Sequence, residues 1–463
     1  MRVLFIYTNI NGAHDDNYAF GLASILSSTR AAGHETDILI VKTREEYSKV
    51  TDSLESFQPQ IVGFTAVSSQ YCFVKELSKI IKQRTPETIC VCGGVHPTIN
   101  PDCIAECDAL DGIFRGESEG PFVDFIRAVE NGKDYKETDN YAYVKNGTVR
   151  MNNLRPLLHS LDELPFSDRD QYPLADQMTF DAIAFFFSRG CPYLCTYCSN
   201  HALARQYGLV KSSIRYRSPE SCMEEIGTCL KRFPRAHTFY FYDDIFGINK
   251  EWRNKFCELY RKRFKIRFLV LLRANLVDEE FLKLLKEAGC YCISFGVESG
   301  NEYIRNTVMK RGISQKKIIE VFDMTHRLGI RTTALNIIGV PGETEEMLWD
   351  TIRLNQRIRP TNSGINVFYP YKGTVLGDYC FKHNLVNMNV YNDFSNERRE
   401  SVLNYDQEWK DKLVYYKNNW ERLVYGNDYY KRVLKYRFMK TPLWKPVVSA
   451  KRKISNMLLA MRN

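Results

Sequence analysis

The sequence predicts an α/β protein: a doubly wound parallel sheet first, then a partial (β/α)6 barrel, then a helical C-terminal tail. Three observations predict it. Strand-like and helix-like stretches alternate in residues 1–135 and again in residues 179–385, and such alternation builds parallel sheets with helices on their faces. A polar, loop-rich connector at 136–178 separates the two series. From residue 386 to 463 the composition shifts to Tyr, Trp, Asn, Lys and Arg in a helix-like pattern broken at "KTPLWKP". A chain of 463 residues is also too long for one ordinary core.

In the first series "RVLFIY" is a compact apolar strand, and "FGLASILSSTRAAG" has helical spacing closed by Gly33. "HETDILIV" and "IVGFTAV" read as strands, "FVKELSKIIKQR" as an amphipathic helix, "TICVCGG" as a strand, and "GIFRGESEGPFVDFIRAV" as a last strand and helix. This is a Rossmann-like order, in which ligands bind beyond the carboxyl ends of the strands. Thr8–Gly12, Thr65–Ser69, Gly93–Pro97 and Gly116–Glu119 fall there. In the connector, "YAYVKNGTVR" predicts a hairpin turning at Asn146-Gly147.

The second series supplies six strands: "AIAFFFS", "TFYFYDD", "RFLVLLRA", "YCISFGVES", "RTTALNIIGVPG" and "GINVFYPYKGT". Helices such as "DEEFLKLLKEAG" and "SQKKIIEVFDMTHRLG" intervene. Six such units suggest a barrel of the TIM type, whose chemistry sits at the strand carboxyl ends.

Composition narrows the class. No apolar stretch approaches the ~20 residues that cross a bilayer. The N-terminal apolar run reads as a strand rather than a signal peptide, so a cytoplasmic protein is expected. Fourteen cysteines thinly spread over a long chain favour reduced thiols and a metal centre over a disulfide scaffold. The net charge of +9 is all in the tail: Lys431 to Asn463 carries ten bases and no acid, leaving 54 bases against 55 acids elsewhere. With Tyr429, Tyr430, Phe438, Trp444, Leu458 and Leu459 interleaved, the tail suits peripheral contact with an anionic membrane at its inner face. The alternative is an ordinary solvated basic helix. Nothing in it forms a recognised nucleic-acid module.

"SRGCPYLCTYCSN" places Cys191, Cys195 and Cys198 on the first loop at the barrel mouth. Thiolates suit zinc or iron–sulfur clusters. Zinc with His201 as fourth ligand is one reading, although structural zinc ligands usually come from two separated knuckles. Iron–sulfur clusters normally take four cysteines; three would leave one iron open to another ligand.

The C-x-x-x-C-x-x-C loop, with Tyr197 before its last cysteine, resembles the signature of the radical S-adenosylmethionine (SAM) superfamily. Further segments match in order: "FYDDIFG" with Asp243 and Asp244, "RAN" with Arg273, "ISFGVESGN" with Glu298, "NIIGVPGET" with Asn336 and Gly339, and "FYPYKGTVL". Singly, each has a plain reading. Glu298 suits a helix cap, Asp243 a turn, and the glycines suit turns. The resemblance covers residues 180–377. It implies a [4Fe–4S] cluster on the three cysteines, whose open iron chelates SAM. It also implies SAM contacts at Tyr197, Asp243, Asp244, Arg273, Glu298, Asn336 and Gly339, an external flavodoxin- or ferredoxin-type electron donor, and reductive cleavage of SAM to a carbon-centred radical.

A doubly wound domain ahead of such a barrel resembles the cobalamin-binding radical SAM class, which includes methyltransferases and cyclases. That likeness implies cobalamin over the first sheet, near Asn11, Thr65, Ser68, Ser69, Gly93, Gly94, His96, Gly116 and Glu117. The D-x-H-x-x-G string of many cobalamin-binding domains is absent, and His14 occupies the same loop without it. The expected function is cobalamin-dependent methylation of an unactivated carbon in a small-molecule or lipid-like substrate. Radical rearrangement, cyclisation or oxidation without methyl transfer is the alternative, and a non-enzymatic zinc-stabilised binding protein a distant one.

Overall fold

The computed structural model describes residues 1–10, 18–171, 182–210, 213–393 and 397–439. Asn11, His14 and the tail beyond residue 439 lie outside them. The first sheet has seven strands: β1 (Arg2–Thr8), β2 (Glu35–Val41), β3 (Ile61–Thr65), β4 (Ile89–Gly93), β5 (Gly112–Phe114), β6 (Tyr141–Lys145) and β7 (Thr148–Met151), in the order β2-β1-β3-β4-β5-β6-β7. Its first five strands are parallel. Alternation along β1 explains the double winding. Val3 and Phe5 meet Leu22, Leu26, Phe122 and Phe125 of the helices Phe20–Ala31 and Glu119–Glu130 on one face. Leu4 and Ile6 pack with Val50, Leu54, Val74 and Leu77 of the helices Tyr47–Phe57 and Tyr71–Arg84 on the other.

Two features depart from the expected elements. The helix Tyr47–Phe57 is additional; it buries only Val50 and Leu54, too thin a stripe to stand out in sequence. The hairpin turns at Asn146 and Gly147, both left-handed, as a two-residue turn requires. It does not lie loose in a connector, however. β6 pairs antiparallel with β5 and extends the sheet, because Tyr141 and Ala142 are fully buried.

The second sheet takes β8 (Ala182–Phe185), then, past a short antiparallel ladder of β9 (Ser188–Arg189) and β10 (Arg215–Tyr216), β11 (Thr238–Phe241), β12 (Arg267–Leu272), β13 (Cys290–Glu298), β14 (Arg331–Ile338) and β15 (Asn362–Val367). All six long strands are parallel, and β8 and β15 are the edge strands of a curled, open barrel. Ile183, Phe239, Val270, Ile293, Phe295 and Ala334 point outward into the core under the helices. The alternate residues Ala184, Tyr240, Leu271, Ser294, Thr333 and Leu335 therefore face the lumen. Between Arg267 and Arg331 near its floor and the carboxyl ends of the strands, this wall carries no charge.

The helices Gln407–Asn418 and Trp420–Tyr425 close over the outer face of β14 and β15 through Leu413, Tyr416 and Trp420. Among the described residues, no helix is long and apolar enough to cross a membrane. Just past β13, Gly300 lies against the backbone of the helix Glu345–Ile358, and a Cβ there would collide with the carbonyl of Asp350 and with Thr351 Cα. Gly300→Ala is expected to lower unfolding free energy by about 1–3 kcal/mol, the usual cost of overpacking, read by denaturant titration.

Candidate active site

The cysteine loop begins where β8 hands over to β9 and ends at the helix Ser199–Gln206. Its middle is pinned from the far side of the barrel: Thr196 donates to the carbonyls of Met309 (backbone N–H, 3.2 Å) and Val308 (hydroxyl, 2.7 Å), and the N–H of Leu376 donates to Thr196. Asp243, just past β11, accepts from the Phe187 N–H and the Ser188 hydroxyl, so it braces the start of the loop. Burial pushes its carboxyl up to about 7, against those two donors, and its second oxygen has no partner.

Cys195 is buried, and Cys191 and Cys198 are half-buried. Burial pushes the Cys191 and Cys198 thiols up to about 11 and about 12, so both stay protonated until a cation displaces the proton. Cys195 instead meets two guanidiniums: Arg273 Nη1 donates to its sulfur at 3.3 Å and Arg311 Nη1 at 3.7 Å. Among the described residues, no three His, Cys, Asp or Glu side chains converge as a site for a single ion. Three soft ligands on one short loop, held apart rather than closed on one point, suit the separate corners of a polynuclear cluster.

The expected SAM contacts divide. Tyr197, Glu298 and Arg273 gather around Arg311: its Nη1 donates to the Tyr197 hydroxyl at 3.3 Å, and its Nη2 lies 3.6 Å from Glu298. Arg273 donates to the carbonyl of Arg311 and to Asn275, and stacks 3.6 Å over the Tyr193 ring. Glu298 adopts a left-handed φ of 64° at a break in the β13–β14 register, strain of the kind that aims a side chain. Asn336 points the other way. Its amide donates to the carbonyl of Gly364 at 2.9 Å, and its oxygen accepts from Asn355 at 2.9 Å; Ser363 and Trp420 continue the buried network. Gly339 lies in a loop clamped from both sides. Its N–H donates to Glu343 at 2.6 Å, and its carbonyl accepts from Tyr405 at 3.3 Å. Burial pushes Glu343 up to about 8, despite backbone donors from Gly339 and Val340.

A cavity of about 470 Å³ lies between the carboxyl ends of the two sheets. Thr65, Gly93, Gly94, Gly116 and Glu117 line it from the first sheet, and Arg189, Asn200, Tyr207 and Asp244 from the barrel. The glycines suit a flat ligand held against backbone. A Cβ on Gly93 would meet nothing closer than 3.9 Å, whereas one on Gly94 would strike Ala66 at 2.7 Å. Phe5, Leu22 and Phe122 carry the cavity inward as an apolar cleft. Ser68, Ser69 and His96 do not line it. Ser68 and His96 bond one another at 3.0 Å, and His96 packs against Tyr71. Burial holds the His96 imidazole down at about 4, helped by Lys372 and Lys75. Ser68 and His96 are both buried just past the strand ends, where the helix Val95–Ile99 packs against the barrel helix Ser199–Gln206.

Arg311 was not expected from sequence; Glu119, Arg189 and Glu343 lie inside segments that the sequence singles out, but no role followed for their side chains. Arg311 follows Lys310 in an unremarkable "MKRG", and only its contacts distinguish it. Asn336→Ala is expected to lower unfolding free energy by roughly 1–3 kcal/mol by orphaning Asn355 and Gly364, measured by urea titration.

The family model described as Radical SAM superfamily matches residues 185–354, and the B12 binding domain model matches residues 9–126. The chain is 30% identical over 374 residues to an uncharacterized methyltransferase, PH0819, of Pyrococcus horikoshii, covering 79% of each chain. It is 26% identical over 390 residues to the anaerobic magnesium-protoporphyrin IX monomethyl ester cyclase of Rubrivivax gelatinosus, covering 80% of this chain and 68% of the cyclase. Among solved structures it resembles OxsB, a cobalamin-dependent SAM radical enzyme, with a TM-score of 0.72 at 19% identity over 99% of this chain and 72% of that one. Both domain models match in the order of the two sheets, and the similarity to PH0819 runs through most of both chains. The protein therefore belongs to the radical SAM superfamily, as a cobalamin-dependent enzyme whose barrel follows an N-terminal B12-binding domain.

Proposed function

We propose that the protein methylates an unactivated carbon of a small, largely apolar or lipid-like molecule. The observation that carries this reading is the shared chamber. One cavity runs from the glycine-rich strand ends of the first sheet to Asp244 and Asn200 beside the cysteine loop, so cobalamin and SAM would work on one enclosed substrate. Cys191, Cys195 and Cys198 would hold the [4Fe–4S] cluster, Glu298 and Asp244 would orient SAM, and Thr65, Gly93, Gly94 and Gly116 would seat the corrinoid. When bound, these groups supply radical formation and the transferable methyl group, chemistry that belongs to the cofactors.

The chain's own residues bind, orient and exclude water. The lumen beneath the site is uncharged, with Phe186, Tyr240 and Tyr242 on one side and Ser294, Gly296, Thr333 and Leu335 on the other. Tyr240 and Tyr242 stack at 5.8 Å, and Tyr242 and Leu335 remain more than a third exposed inside the barrel. A wall of this kind accepts a flat or aliphatic body and penalises a charge that it cannot pair.

Similarity to a methyltransferase supports methyl transfer, and similarity to a ring-forming cyclase supports a second reading, radical cyclisation without methylation. The two differ in product mass. Oxygen-free purification should give a protein containing iron, sulfide and cobalt. Turnover with a reductant and an accepted substrate should add one methyl group; a dehydrogenated or cyclised product of unchanged carbon count rejects methylation. Cys198→Ala is expected to lose the cluster iron and at least about a thousandfold of deoxyadenosine formation, equivalent to about 4 kcal/mol in the barrier.

A further inference from the structure

We propose that Arg311, with Arg273, sets the electron affinity of the iron–sulfur cluster by donating N–H groups to the sulfur of Cys195. This rests on the reading of the three cysteines as cluster ligands and adds a role to a residue outside the cysteine loop. Two guanidiniums, 97% and 92% buried, converge on one sulfur at 3.3 and 3.7 Å. Among the described residues, the hydrogen bonds to Cys191 and Cys198 come from the backbone N–H groups of Tyr193 and Asn200, with Arg273 and Arg398 acting on them through space. The cationic donors are thus concentrated on one of the three thiols.

Like charges brought together out of water are unfavourable unless an anion sits between them. The nearest carboxylate to Arg311 is that of Glu298, at 3.6 Å. The carbonyl of Arg311 itself accepts from Arg273, locking the pair. A metal-bound thiolate is the anion that completes this arrangement.

The backbone is shaped to deliver Arg311. A π-helical turn at Tyr303–Val308 precedes it, and Lys310 and Gly312 on either side have φ of 52° and 63°. Its Nη2 is fixed by the carbonyl of Gly296 at 2.6 Å. A Cβ on Gly296 would lie 2.7 Å from that same nitrogen, so β13 leaves out a side chain where the guanidinium passes. Hydrogen bonds to ligand sulfurs stabilise the more electron-rich, reduced cluster and raise its potential. Arg311 acts through Cys195 and is a positioning residue.

The test is an EPR-monitored redox titration of the anaerobically reconstituted wild type, Arg311→Gln and Arg311→Lys. Arg311→Gln should lower the potential enough to reduce the reduced-to-oxidised ratio about tenfold at a fixed potential, about 59 mV for a one-electron couple. Arg311→Lys, which keeps one charged donor, should shift it less. Unchanged potentials in both variants overturn the proposal. Should Arg311→Gln fail to fold or to load iron, the wild type decides: its reduced cluster, in protein labelled with 15N-arginine, should show a 15N coupling in pulsed ENDOR that unlabelled protein lacks, and absence of that coupling overturns the proposal. A wild-type protein without iron overturns the cluster reading itself, whereas a loaded cluster indifferent to Arg311 overturns only the arginine's role.

Discussion

The working geometry depends on a buried ion network that holds the carboxyl ends of two separate sheets against one another. Arg189, at the start of the cysteine loop, reaches back to Glu119 at 2.6 Å and Glu117 at 3.3 Å in the first unit, and Arg215 pairs with the same Glu117. Ser24 donates to Glu119, and the N–H of Glu117 donates to the Tyr207 hydroxyl. Burial alone would raise the Glu119 carboxyl, but Arg189 and Ser24 outweigh it and hold the group below its ordinary range. Such a network adds little net stability, because desolvating the charges cancels much of their attraction. It confers orientation: only one docking of the two sheets pairs these four charges, and that docking turns both sets of strand ends toward one cavity.

That docking divides the labour within the cavity. On the first sheet, strand ends are reduced to glycine, and backbone takes the place of side chains along the cavity. On the barrel, side chains are long and charged, and nearly every one is committed. Asp243 braces the loop, Arg273 and Arg311 grip Cys195, and Glu343 with Tyr405 clamps the turn after β14. Tyr405 belongs to the C-terminal region, so the segment after the barrel helps shape its mouth. Below, the lumen returns to uncharged residues. The charge lies in a ring around the cysteine loop and at the lumen floor, and is absent from the wall between them.

Much of this was legible in the chain. Both sheets, their strand order of appearance and the cysteine loop followed from periodicity and spacing, because parallel strands buried on both faces leave continuous apolar runs and loops at their carboxyl ends. Less legible was direction. Asn336 sits in a segment next to the mouth, yet its position in the period-two alternation of β14 turns it outward to Asn355 and Ser363. Ser68 and His96 follow β3 and β4 as expected of ligand contacts, but they bond one another and do not line the cavity. Arg311 carries no motif, Arg189 and Glu119 lie in segments noted for other residues, and the importance of all three arises from partners 15 to 116 positions away.

The amino-acid sequence by itself determined the two parallel units and the three-thiol loop, since both are written in local spacing and in the alternation of apolar residues, while the class of cofactor came from the resemblance of its motifs to a known family. Only the tertiary structure decided which of the candidate side chains face the shared chamber, that the two sheets meet through Glu117, Glu119, Arg189 and Arg215, and that Cys195 is the thiol gripped by two cations. Those outcomes depend on distances between residues far apart in the chain, which are fixed by packing rather than by any neighbouring residue.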